Sequence, residues 1–299
     1  MRITCKAPAK INLRLKVEGR RDDGYHLLSM LNASLEFADE LAFEFKAGNE
    51  IELVTDYHTP GFGDDQNELL DPALNLAFKA ARLFSQEFGF NFGLKIHLRK
   101  SIPLGAGLGG GSSDAAAVLR VLQAVFAREL PEQFAPRFRE MALKLGADVP
   151  FFLSSGFSIV KGIGERITEL DPSQISGRAV YLYLSQIKIP TAVIFKIHRE
   201  KLRSSGPDHS LTPENSNFYM NLIENDLESS LKDYRPELIE ALSQLRKTPG
   251  MKAGLSGSGA TLFAIPEDQR TPPPAIYVGK AEIKPYKTSF LPIPVTVVN

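Results

Sequence analysis

From Lys10 to Val17 apolar and polar residues alternate without a break. Ile11, Leu13, Leu15 and Val17 take one face, and Lys10, Asn12, Arg14 and Lys16 the other. A period of two marks a half-buried β-strand and sets Lys10 and Asn12 side by side on its polar face. Residues 20–24 read as a turn, and strand-like stretches follow at 31–37 and 41–45. Asp71 and Pro72 read as the cap and first residue of a helix. Leu74, Ala77, Phe78, Ala81, Phe84 and Phe88 continue it at helical spacing. Residues 94–98 alternate again and lead into Pro103-Leu104-Gly105-Ala106-Gly107-Leu108-Gly109-Gly110-Gly111-Ser112-Ser113. Beyond this run Val118, Leu119, Leu122, Val125 and Phe126 recur with a period of 3.6, so the glycines open an amphipathic helix. Phe138, Met141, Ala142 and Leu145 mark another helix, which Gly146 stops. Asp148 comes next, with Val149 biased to an extended backbone by Pro150.

After residue 155 the pattern restarts. It predicts strands at 157–161 and 179–184, helices at 213–232 and 236–247, and a strand at 261–265. A second glycine cluster, Gly254-Leu255-Ser256-Gly257-Ser258-Gly259, precedes that last strand, and the proline-rich tail from Thr271 predicts little. The expected class is α+β, in two closely packed units of residues 1–155 and 156–299 with a soft division near 153–156.

Composition narrows the classes. Thirty-five basic and 35 acidic side chains cancel over 299 residues, so global charge points to neither nucleic acid nor a membrane surface. Cys5 stands alone, which leaves no intramolecular disulfide and no cysteine-based metal cluster. Without a signal-like start or a run of 18 apolar residues, a cytoplasmic protein is expected, as a monomer or weak homodimer.

A polyphosphate needs many donors close together with no side chains in the way, and glycine supplies both the room and the backbone angles. Five glycines in seven positions at a helix start offer N–H groups and the positive dipole end to an anion, with the Ser112 and Ser113 hydroxyls beside them. No Gly-Lys-Ser/Thr follows, so this is not the Walker pattern. Gly105, Gly107 and Gly110 satisfy the dinucleotide spacing, but its acidic partner would fall on Glu129 in a loop-like stretch. Asp148 reads equally as a held carboxylate or a plain turn aspartate. Lys10 is a candidate cation or a solvated strand lysine, and the second glycine cluster an anion site or a hairpin turn.

Together these segments resemble the GHMP kinases, the galacto-, homoserine, mevalonate and phosphomevalonate kinases. The resemblance rests on the 103–113 loop, on Gly254–Thr261, and on their order and spacing over nearly the whole chain. It implies a two-domain fold, with an N-terminal ribosomal protein S5 domain 2-like unit and a C-terminal ferredoxin-like α/β sandwich. It also implies ATP as donor, with Mg2+. Five further segments resemble the branch of the family whose acceptor is a cytidine diphosphate-linked methylerythritol, phosphorylated on its 2-hydroxyl. They are Pro8-Ala9-Lys10-Ile11-Asn12-Leu13, Asp23-Gly24-Tyr25-His26, Gly146–Phe152, Ile189-Pro190-Thr191 with Phe195, and Asn225-Asp226-Leu227-Glu228.

By that resemblance Asp148 is the general base and Lys10 its charge partner. Tyr25 and His26 hold the cytosine and Phe195 stacks on its other side. Asn12, Thr191, Gly257 and Ser258 contact the rest of the acceptor. Asn75, Lys100, Pro103, Gly105, Gly107, Leu108, Gly109, Gly110, Gly111, Ser112 and Ser113 line the ATP side. Ala192 stands where the branch commonly has a second proline. No acidic residue is marked as a magnesium ligand; Asp114 reads either as one or as a helix-start aspartate on the dipole. Another GHMP small-molecule kinase is the alternative, and a non-catalytic nucleotide-binding protein or an NAD-dependent oxidoreductase the more distant ones.

Overall fold

A computed structural model describes residues 2–61, 71–131, 134–201 and 216–291. Two long strands, β1 (Arg2–Arg20) and β2 (His26–Lys46), pair antiparallel along almost their whole length. β2 is shared at its other edge: its start pairs with β5 (Phe157–Gly162) and its end with β4 (Gly93–Lys100). β3 (Ile51–Tyr57) adds parallel to β4, β6 (Arg166–Glu169) to β5, and the short β8 (Glu224–Asn225) parallel to β1, which makes seven strands. A separate four-stranded antiparallel sheet runs β13 (Tyr286–Ser289), β7 (Ala179–Tyr183), β10 (Leu262–Pro266), β9 (Met251–Leu255). The first sheet therefore extends past the division expected at 155–156 and takes β8 from further along the chain.

The unbroken alternation in β1 predicts one buried face, and the strand instead serves two cores. Its register against β2 shifts between Pro8 and Lys10 and again between Asn12 and Arg14. Each shift turns the strand over. Ile3, Cys5 and Ala7 bury in the larger core, Ala9, Ile11 and Leu13 in the second, and Leu15 and Val17 in the larger core again. The larger core lies under the helices α1 (Leu76–Phe88), α2 (Gly110–Val125) and α3 (Phe134–Leu145) and takes in Leu238, Leu242 and Leu245 of α8 (Pro236–Lys247). The second joins the middle of β1 and β2 to Val180, Leu182, Phe263 and Ile265 of the four-stranded sheet. Residues 7–15 are buried throughout, polar ones included.

Other expectations shift for local reasons. Asp71 caps only a 3-10 turn at Pro72–Leu74. The helix proper begins after Asn75, whose extended backbone breaks the two apart. α3 ends at Leu145, before Gly146, as the sequence suggests. Val149 is helical rather than extended, opening α4 (Val149–Phe152), because a proline in a first helical turn needs no N–H. The helix expected over 213–232 is divided, in its described part, into α6 (Ser216–Asn221) and α7 (Glu228–Tyr234) with β8 between them. The tail that predicted little supplies a hairpin of β11 (Ile276–Val278) and β12 (Ala281–Ile283) together with β13.

Candidate active site

The glycine loop runs from the end of β4 to the start of α2. Leu108, 1% exposed, plugs it into the second core, and the Leu108 carbonyl accepts the backbone N–H of Lys10 at 2.9 Å. Gly109, with φ 71°, stands at the N-cap of α2, and no side chain caps the first turn, whose N–H groups stay available to an anion. Two positive-φ positions of the loop also lack room for a side chain. A Cβ on Gly107 (φ 78°) would lie 2.1 Å from the Ser256 carbonyl oxygen, and one on Gly109 would lie 2.9 Å from the Phe152 ring and 3.1 Å from Lys10 Cγ. The second glycine cluster is thus docked against the first. Ser256 Oγ donates to the Gly107 carbonyl at 2.8 Å and Thr261 N to the Ala106 carbonyl at 3.3 Å.

Lys10, 4% exposed on the polar face of β1, lies directly beside this junction. Its Nζ donates to Asn12 Oδ1 at 2.8 Å and lies 3.6 Å from Asp148 Oδ2, a carboxylate on the short turn leading into α4. The same Asn12 oxygen accepts the Gly257 N–H at 2.8 Å, while Asn12 Nδ2 donates to Asn32 Oδ1 at 2.6 Å. Asn12 is 1% exposed, with its amide oxygen and nitrogen both bonded within the protein. Asn225 completes the frame. Its amide donates to the Leu255 and Gly257 carbonyls at 3.0 and 2.8 Å and accepts from Leu227 N at 2.9 Å.

A second group lies along the start of β2 and α5 (Thr191–Lys201). The His26 ring packs on Phe195 at 4.8 Å between centroids, tilted by 33°, with its Nε2 buried and without a hydrogen-bond partner. Burial holds the imidazole below its ordinary range, helped by the nearby charges of Arg20, His198 and Arg199. Tyr25 precedes it on the turn, 61% exposed and open to a flat ring. Thr191 Oγ1 and Ser258 Oγ lie 2.9 Å apart, tying the start of α5 to the second glycine cluster.

A glycine loop at a helix start, a buried lysine against a carboxylate, and an aromatic group with a histidine edge form one continuous set. Family models agree with it. "GHMP kinases N terminal domain" matches residues 75–156 and "GHMP kinases C terminal" residues 210–277. A curated relative from Prochlorococcus marinus is 33% identical over 285 residues, covering 90% of this chain and 88% of that protein. The chain belongs to the GHMP kinases. That relative and one from Nitrosospira multiformis, 37% identical over 264 residues (88% of this chain, 82% of the relative), are both named 4-diphosphocytidyl-2-C-methyl-D-erythritol kinase. A crystal structure of 4-(cytidine 5'-diphospho)-2C-methyl-D-erythritol kinase matches with a TM-score of 0.69 at 33% identity, covering 89% of this chain and 91% of that one. A homoserine kinase from Cytophaga hutchinsonii, at 16% identity and TM-score 0.64 over 99% of this chain and 97% of that one, shares the fold.

Within this GHMP kinase, two residues expected on the ATP side also hold the fold. Asn75 caps α1, accepting from Ala77 N at 2.8 Å. Lys100 is 2% exposed and bonded to Asp39 and Asp114, so its ammonium faces the interior beneath the loop. Asp114 belongs to that ion cluster and lies buried beyond the first turn of α2. Ser112 is half-buried near Gly146, while Ser113 is 1% exposed and its Oγ has no partner. Among the described residues no three His, Cys, Asp or Glu side chains gather as a metal site. Asn32, Asn225, Ser256 and Asp39 went unmarked as site residues in the sequence. Asn225 and Ser256 alone carried a signal, through the Asn225–Glu228 motif and the second glycine cluster.

Proposed function

We propose that this kinase transfers the γ-phosphoryl group of ATP to the 2-hydroxyl of 4-diphosphocytidyl-2-C-methyl-D-erythritol, a step of the non-mevalonate route to isoprenoid precursors. The names of relatives matching about nine-tenths of the chain support the reaction. The observation that carries the residue roles is the meeting of Lys10 and Asp148 at 3.6 Å, beside the start of the anion-binding helix. Asp148 takes the proton of the 2-hydroxyl as its oxygen forms a bond to the γ-phosphorus. The bond from that phosphorus to the bridging oxygen breaks, and ADP leaves. Lys10, held by Asn12, orients the Asp148 carboxylate and stabilises charge gathering on the transferred group. Tyr25 and Phe195 supply the stacking faces for cytosine, and His26 offers a neutral imidazole to its polar edge. Thr191 and Ser258 face the sugar and phosphates of the acceptor.

Magnesium would accompany ATP and neutralise charge on its phosphates. A cytoplasmic location and a monomer or weak homodimer complete the proposal, checked by fractionation and light scattering. The decisive assay compares ATP consumption with the cytidyl compound, mevalonate and homoserine. Turnover confined to the cytidyl compound is the expected outcome, and equal or absent turnover with it overturns the acceptor. Asp148→Asn should lower kcat by about 10²–10⁴-fold while ATP binding persists. A near-parental rate in that variant removes Asp148 as the base.

A further inference from the structure

Three ionisable side chains lie together beneath the glycine loop, shut off from solvent: Lys100 at the end of β4, Asp39 on β2 and Asp114 on α2, 2, 0 and 1% exposed. Lys100 Nζ donates to Asp39 Oδ2 and, at 2.8 Å, to Asp114 Oδ2. Asp39 Oδ1 accepts the backbone N–H of Ser101 at 2.6 Å and of Ile102 at 2.8 Å. Those two residues begin the loop, whereas Asp114 sits on the helix that ends it, about one turn in. The ammonium is packed tightly into the gap, since a Cβ on Gly110, the first residue of α2, would lie 3.0 Å from Lys100 Nζ. One connected set of bonds therefore joins the edge of the sheet to both the entry and the exit of the loop.

Apolar residues of similar volume would fill such a space at no desolvation cost, so a buried ionic cluster placed here calls for a role beyond filling the core. Direct ATP contact is a poor fit for a lysine already committed to two carboxylates. Its geometry instead suits fixing the span of the loop. Charge is consistent with that. Burial pushes the Asp114 carboxyl up to about 8 against the pull of Lys100, with Asp39 adding to the rise. A carboxyl raised in this way lessens the negative charge held beneath a helix start that receives phosphates.

We propose that Asp39, Lys100 and Asp114 are positioning residues for ATP, a buried clamp that sets the distance between the loop's two ends and so aims its backbone N–H groups. The proposal rests on reading the 103–113 loop as the ATP site. The test measures ATP affinity of the full chain by calorimetry without acceptor, alongside two-substrate kinetics. Lys100→Met should weaken ATP binding by about tenfold or more and leave the acceptor KM within about twofold, since small misplacements of donor groups are costly at a phosphate site. If that variant does not fold, Lys100→Met combined with Asp114→Leu removes the buried charges together and should show the same split. A folded variant that binds ATP within about twofold of the parent overturns the clamp, as does an equal loss for both substrates. Failure of both variants to fold also overturns it, leaving the cluster purely structural. A parent that binds ATP yet ignores the cytidyl compound removes the acceptor assignment alone, and the ATP comparison still decides the clamp.

Discussion

Burial and the positive neighbours Arg20, His198 and Arg199 make a proton on His26 costly in the folded chain, so its titration lies below the ordinary value of 6.5. Above 6.5 the ring is neutral both folded and unfolded and contributes nothing to the pH dependence. As pH falls below 6.5 the unfolded chain takes the proton first, and stability declines until the folded value is passed. Acceptor recognition should follow the same acid limb: the KM for the cytidyl substrate stays flat through neutral pH and rises on acidification below 6.5. His26→Gln should raise that KM at all pH values and abolish its acid limb, as steady-state kinetics across pH would record; an unchanged limb assigns it to another group. The sequence brought His26 forward through its Asp23–His26 motif, but its contact with Phe195 depends on α5 folding back across 169 positions (195 − 26). Lys10 and Asp148 were each open to a plain reading alone, and only the fold shows them 3.6 Å apart. Asn32 was illegible, and the role of Ser256 within its glycine cluster was too, because their partners, an amide on the neighbouring strand and a carbonyl of the other glycine loop, exist only once the chain is assembled.

The two glycine clusters function as one element. Gly107 has φ 78° and no room for a Cβ against Ser256, and Asn225 holds the opposite side of the same junction. Gly107→Ala should therefore cost about 1–3 kcal/mol from the positive φ alone, with the clash adding to it. Its denaturation midpoint should fall and ATP affinity drop with it; retained ATP affinity would separate the junction from the phosphate site. Asn225→Ala leaves the Leu255 and Gly257 carbonyls and the Leu227 N–H without a partner, and about 2–4 kcal/mol is the expected loss of stability, read by denaturant unfolding. Glycine spacing alone made the loops visible as anion sites, yet gave no sign that one docks on the other. The alternation in β1 was equally legible as strand, while the two register shifts that divide its apolar residues between two cores leave no mark on a period-two pattern.

At the scale of the whole molecule, the second half of the chain lends strands to the first sheet rather than meeting it at a simple boundary. β5, from residue 157 on, pairs with β2 over Leu28–Ala33, and β8 pairs with Arg14 and Leu15 of β1. Asp226 reinforces that edge, accepting Val17 N at 2.9 Å and pairing with Lys16 at 3.1 Å. The face of β1 and β2 that carries Ile11, Leu13, Leu31 and Leu35 has its apolar partners in Val180, Leu182, Phe263 and Ile265. A fragment of residues 1–155 would thus expose one edge of β2, one edge of β1 and an apolar face, a combination that favours aggregation over a folded monomer. Extending it to residue 170 restores β5 and β6 and closes the edge of β2, but leaves the second core uncovered. Neither fragment should give the dispersed amide spectrum or the sharp unfolding transition expected of the full chain, and a well-folded, ATP-binding 1–155 fragment would show that the site needs none of these borrowed strands. The same sharing accounts for how Lys10, Asp148, His26 and Ser258 would act together in the proposed site. Their positions are set by strands and loops drawn from both ends of the sequence, so the acceptor side and the ATP side of the site are built as one piece.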